Sequence, residues 1–319
     1  MKKLTSRAYV IVAIGIVFVC TMSIVAQNHF TESSRPFKTR KIQSLYQELK
    51  RTWEDIFDRT PADAYGEFIK TANTLPYSDA HTLAHIVGAI LYDREGLAGL
   101  SYCTNDFAFG CYHGFAGRVI EITGSAGVGN FAEACKAQKS ATDCEHGIGH
   151  GLLAYLGDGG LVAALELCPP AERESVGGCY NGVFMEYFLN TLQRDEGKGI
   201  RPPNSSEPEG PCKSSVPRKF QPACYYELPA WWRAWEANGG APYEKQFKAV
   251  GERCALVADS DLQTVCFEGA GAQIAPFSKY EMGRIQKLCL LMPESGRATC
   301  LEEAVKSVAG SEKRSPDVL

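Results

Sequence analysis

Histidine is scarce in this sequence, with six in 319 residues, and net charge is small, at −4. No run of lysine and arginine marks the main body of the chain, so the electrostatic footprint of a nucleic-acid-binding surface is missing and no nucleic-acid partner is expected. GxGxxG, Walker A and GxSxG tracts are absent, as is a CxxCH haem attachment. Their absence removes the usual sequence signatures of dinucleotide, nucleoside triphosphate, serine hydrolase and c-type haem chemistry. No stretch alternates apolar and polar residues with the period of a strand, so the expected fold class is all-α.

Long apolar runs are absent too, with one exception. Ala8 to Ala26 is unbroken by charge and comes after Lys2, Lys3 and Arg7. Its nineteen residues, at 1.5 Å each, span roughly 28 Å, about one hydrocarbon core. The basic flank, residues 1–7, favours a cytoplasmic N-terminus and export of the remainder of the chain. Cleavage as a signal peptide is the rival reading. The run is long for such a segment, and cleavage after Ala26 would put bulky Ile24 at the −3 position. The expectation is a single-pass signal-anchor in an inner or plasma membrane, with the main domain in the periplasm or extracellular space.

Cysteine, by contrast, is abundant. Thirteen are present, and apart from Cys20 in the apolar segment they fall into six pairs: Cys103/Cys111, Cys135/Cys144, Cys168/Cys179, Cys212/Cys224, Cys254/Cys266 and Cys289/Cys300. An even number of thiols in an exported domain points to disulfides. The second cysteines recur after 33, 35, 45, 42 and 34 residues, close to the period of a helical-hairpin repeat. The tracts after them are also alike: CYHGFAG, CEHGIGH, CYNGVFM, CYYELPA, CFEGAGA and CLEEAVK. The unit reads as helix, Cys, short loop, Cys, helix, with pairing inside each hairpin the local choice among many.

A seventh, cysteine-free unit lies upstream, because Asp79–Asp93 aligns without a gap on Cys144–Asp158 and matches both of its histidines. The expected architecture is a right-handed superhelix, solenoid or toroid-like, of about seven αα-hairpins behind a single transmembrane helix. Residues 27–41 read as a polar linker containing His29, and 42–58 as an amphipathic helix opening a repeat domain that spans 42–310. Residues 195–222, rich in Pro, Gly and Ser, read as a surface insertion, and 311–319 as a disordered tail. Trp231, Trp232 and Trp235 are expected to pack against that insertion, with a sugar- or lipid-facing platform as the alternative.

The five remaining histidines, His81, His85, His113, His146 and His150, all fall in the first three repeat-opening helices. Two pairs have i,i+4 spacing, which puts both imidazoles on one helical face. The gapless match sets His81, His113 and His146 at one repeat position. Packed helices lie about 8–10 Å apart, so imidazoles from neighbours can meet at one ion. His81, His85 and His113 would form a three-histidine site with an open position, as in catalytic zinc centres. His146 and His150 with Glu186 would form a second, two-His, one-carboxylate set. In a tightly curved stack the two would merge. His113 and His146 come two residues after a cysteine, near an expected helix N-terminus, whose dipole would keep the rings neutral. The cofactor expected is a divalent metal, zinc first, with iron or copper as alternatives.

Arg118 and Glu121 are candidates for substrate clamp and general base, or else a surface i,i+3 ion pair. Glycines come after the repeat histidine position at Gly114, Gly147, Gly182 and Gly269, where something must approach closely, a neighbouring backbone more readily than a ligand. The CYHG and CEHG tracts resemble the Cys-His-Gly motif of lanthionine cyclases, zinc enzymes on an α/α toroid, over those residues only. Here each such cysteine belongs to a pair, which would consume the thiolate that motif needs. The leading functional expectation is a metal-dependent hydrolase or oxidoreductase. The alternatives are a scaffold holding a peptide or protein along its concave face and a metal-delivery module.

Overall fold

The computed structural model describes residues 51–314 apart from 52, 55, 76, 169–175, 193–198 and 205, all within one compact unit, residues 39–319. The apolar segment 8–26, its basic flank, the linker and most of the expected helix 42–58 lie outside the described residues. No described helix is long and apolar enough to cross a membrane.

The described residues are helical, and among them no named strand occurs. The chain runs through α1 (Pro61–Ala72), α2 (Tyr77–Glu95), α3 (Asp106–Thr123), α4 (Val128–Lys136), α5 (Ala141–Leu156), α6 (Leu161–Leu167) and α7 (Gly178–Leu189). It continues through α8 (Pro211–Ser214), α9 (Gln221–Asn238), α10 (Tyr243–Cys254), α11 (Ser260–Phe277), α12 (Met282–Cys289) and α13 (Glu294–Arg314). Boundaries follow local chemistry. The Thr60 hydroxyl caps α1 by accepting from Asp63 N, and the Asp259 carboxylate caps α11 by accepting from Asp261 N and Leu262 N.

The repeat alternates in length. The longer helices pack in chain order, α2 on α3, α3 on α5, α5 on α7, then α9, α11 and α13 in succession. The shorter ones back them, α4 on α5, α6 on α7, α10 on both α9 and α11, and α12 on both α11 and α13. Phenylalanines are buried along the array, including Phe115, Phe131, Phe184, Phe247 and Phe267. Burying such side chains is the main favourable term holding neighbouring hairpins together.

All six expected disulfides form, each inside its own hairpin: Cys103–Cys111, Cys135–Cys144, Cys168–Cys179, Cys212–Cys224, Cys254–Cys266 and Cys289–Cys300, with Cα–Cα distances of 5.4–5.7 Å. In the chain-entropy picture, closing loops this short stabilises each hairpin by roughly 2.5–3 kcal/mol. The expected order of the unit, with the second cysteine ending the loop ahead of its helix, needs correction. Cys224 is the fourth residue of α9 and Cys266 the seventh of α11, so both lie inside the long helix and both are fully buried. The reason is geometric. A bond of this reach joins the end of the short helix to the flank of the long one, and the flank within packing distance is one or two turns in. The first bond is entered from a 3₁₀ turn (Gly96–Tyr102) rather than from an α-helix.

Two expected boundaries shift. Part of the 195–222 insertion is structured. Its Cys212 is buried in the one-turn helix α8, which is the short helix of that repeat reduced by its prolines. Trp231 and Trp232 hold this segment, donating Nε1–H to Arg201 O (2.6 Å) and Pro208 O (3.0 Å), while Trp235 stays partly exposed. At the C-terminus, α13 continues to Arg314, several residues into the expected tail.

Candidate metal centre

Backbone approach between the long helices decides where their side chains meet. A Cβ at Gly114 would fall under 3.0 Å from the His85 backbone, one at Gly182 equally close to the His146 carbonyl, and one at Gly269 to the Tyr226 carbonyl. Gly147 meets the Tyr112 carbonyl in the same way. What approaches these glycines is therefore the neighbouring helix, and any side chain would push the helices apart.

The same contacts fix the repeat register. Gly149 faces the Cys179 carbonyl and Gly271 the Cys300 carbonyl, and on α2 it is Gly88 that faces the Cys111 carbonyl. Gly88 stands three residues after His85, as Gly149 does after His146. The residue of α2 equivalent to His113 and His146 is thus His85. The gapless match that put His81 there is one helical turn out. His81 lies a turn before this row on α2, and His150 a turn after it on α5.

This arrangement converges the five imidazoles. The His113 ring centroid lies 5.5 Å from those of His81 and His85, and 5.4 and 4.5 Å from those of His146 and His150. Two groups of three are placed to hold a metal ion, His81–His85–His113 and His113–His146–His150, the ligand atoms of each within 4.8 Å of one another. Within each i,i+4 pair, Nε2 is 3.1 Å from Nε2. Two imidazole nitrogens on a tetrahedral ion at about 2.05 Å would stand about 3.3 Å apart, so both pairs are close to a chelating geometry.

The outer faces of the flanking rings are tied down. His81 Nδ1 donates to Phe107 O at 2.6 Å, leaving the Nε2 lone pair turned inward. Phe107, Ala108 and Phe109 all have φ between 49° and 62°, a left-handed stretch that costs about 1–2 kcal/mol per residue and that brings this carbonyl onto the ring. His150 Nδ1 donates to Glu186 Oε2 at 2.9 Å. Helix α7 ends on Asn190 in the left-handed region, which folds the chain back so that the Thr191 hydroxyl and Leu192 N also donate to that carboxylate. Glu186 is fully buried. Burial pushes its carboxyl up, but the hydrogen bonds from His150, Thr191 and Leu192 outweigh that and hold it below the ordinary carboxylate range.

His113 differs from its neighbours. It is 3% exposed, and neither ring nitrogen has a hydrogen-bond partner. Burial, then the four surrounding imidazoles, holds it well below the ordinary histidine value, and burial followed by His150 and His81 does the same to His146. The rings stay neutral, as ligands must. The helix dipole expected to achieve this is not the cause. His146 is the sixth residue of α5, beyond the first turn where that effect acts, and burial takes its place.

Three sequence candidates take other places. Glu186 stands behind His150 rather than in either triad, and His113 completes the second triad. Arg118 binds Asp93 at 2.7 Å and Glu121 at 2.8 Å, and Glu121 is two-thirds exposed, so these two form a surface ion-pair network. Phe107 O, Thr191 and Leu192 N carried no recognisable sequence signal, being backbone groups and a loop hydroxyl. Past the histidines the row continues with Asn181, whose Nδ2 donates to the buried Glu227 at 2.7 Å. No family model, no curated protein and no solved structure matches this chain.

Proposed function

We propose that this chain is an exported metalloprotein, a right-handed helical solenoid tethered outside an inner or plasma membrane through residues 8–26, and that its histidine centre performs metal-dependent hydrolysis or oxidation. The observation that carries the metal reading is His113, a buried imidazole with both nitrogens unpartnered, surrounded by four others. Leaving buried polar atoms unpaired costs about 1–3 kcal/mol each, and a bound ion offsets that cost. Three neutral histidines with a further position open suit zinc first, which would supply a Lewis acid and an activated water. Copper also accepts all-imidazole sets. Non-haem iron fits less well, because its usual set needs a carboxylate ligand and Glu186 is engaged behind His150.

A second reading, metal storage or delivery without turnover, is favoured by the engagement of Arg118 and Glu121 with each other at the surface. Metal content and thermal unfolding of the full chain test the first point. Wild type should hold stoichiometric zinc or copper and gain about 2.7 kcal/mol at a metal concentration one hundred times Kd. His113→Leu, which removes the unpaired nitrogens at similar volume, should match or exceed the metal-free wild type and gain far less from metal than wild type does, since only the two-histidine pairs remain. A wild type that binds no ion and whose Tm ignores metal sinks the proposal. Azide added to the cobalt-substituted protein separates the two readings: a change in the visible spectrum shows an open position and favours catalysis, while none favours storage.

A further inference from the structure

Resting on the metal reading above, we infer that the hollow is a dinuclear centre in which His113 is the shared ligand, one ion held by His81 and His85 and the other by His146 and His150. The two triads have only His113 in common, and their five ligand atoms do not form one group within 4.8 Å. Ligands of a single ion at 2.0–2.1 Å lie at most about 4.2 Å apart, so one ion cannot take all five. Each outer pair already stands at chelating distance, Nε2 to Nε2 3.1 Å in both. The ring between them has two nitrogens, one on each side of Cε1 with lone pairs that point away from each other, and neither is spent on a hydrogen bond. A second ion on that ring replaces its one N–H proton, which leaves to solvent, and the shared imidazolate then neutralises part of the two ions' charge.

The two positions are not equivalent. His81 is backed by a backbone carbonyl, Phe107 O, and His150 by a side-chain carboxylate, Glu186, itself fixed by Thr191 and Leu192 N. A carboxylate behind an imidazole makes it a stronger donor, and loss of such a partner typically weakens metal affinity about 10–100-fold. The ion on His146 and His150 is therefore the first to bind.

Copper(II) titration of the metal-free full chain, followed by metal analysis and electron paramagnetic resonance, tests this. The expected result is two equivalents bound in two steps, with the resonance per copper falling as the second step fills because the spins couple through His113. Glu186→Gln should weaken the tight step about 10–100-fold and leave the stoichiometry at saturation unchanged. If that variant fails to fold, the pair His81→Ala and His85→Ala should retain one equivalent at the tight step. Saturation of wild type at one equivalent overturns the dinuclear centre and leaves the metalloprotein reading standing. Two equivalents with additive, uncoupled spectra overturn the shared ligand, and no copper, zinc or cobalt bound at all overturns both.

Discussion

Glu227 shows at the scale of one residue how the row of equivalent positions changes character beyond the histidines. Burial raises its carboxyl, an Asn181 hydrogen bond lowers it less, and it titrates at about 7 against an ordinary value of 4.5. The folded protein thus holds this proton more tightly than the unfolded chain does. The resulting stabilisation is complete below pH 4.5 and is lost as pH rises through 7. Glu227→Gln keeps the carbonyl that accepts from Asn181 and removes the charge. At pH 8 it should be more stable than wild type by about 3 kcal/mol, and at pH 5 the difference should fall below about 1 kcal/mol, as read by urea unfolding at the two pH values. An equal effect at both would show that the carboxyl is ionised when folded. His113 belongs to the same scale, since its neutrality comes from burial and its crowded neighbours.

At the scale of the element, close helix approach is set by glycines at chosen positions. Gly269→Ala would drive a methyl into the Tyr226 carbonyl between α9 and α11 and should cost about 1–3 kcal/mol. Gly66→Ala in α1, where nothing lies within 4 Å, should instead stabilise by roughly 0.5–1 kcal/mol through helix propensity. Equal effects in thermal unfolding would refute the backbone-contact account. These contacts also explain what the sequence could and could not reveal. Cysteine spacing made the hairpins and their staples legible, because a local bond leaves a local trace. It did not reveal how far each long helix extends ahead of its cysteine, as at Cys224 and Cys266, since the loop and the first turns share the same polar residues. The five histidines were legible as a set. Their register was not, since α2 and α5 each carry an i,i+4 pair and sliding one against the other by four residues still matches a histidine. Only the helix contacts at Gly88 and Gly114 choose His85. The partner of His150 was hidden too, because Glu186 could as well have been a ligand until the turn at Asn190 brought Thr191 and Leu192 N onto it.

For the molecule as a whole, the described hairpins touch mainly their neighbours, so stability should be a sum of local and nearest-neighbour terms. The double variant Cys289→Ser, Cys300→Ser should lose about 2–3 kcal/mol from the last hairpin. Amide exchange should quicken in α12 and α13, while metal content at the histidine centre stays at the wild-type level. Quickened exchange throughout the array would mean that the molecule unfolds as one cooperative block. The order of the staples also bears on biogenesis. Every bond joins thiols no more than 12 residues apart in sequence, and none reaches into the next hairpin. A polypeptide elongating from its N-terminus therefore brings each thiol to its partner before the next couple has been synthesised. Oxidation in order of synthesis yields the native pairing directly, and a reshuffling isomerase has nothing to correct.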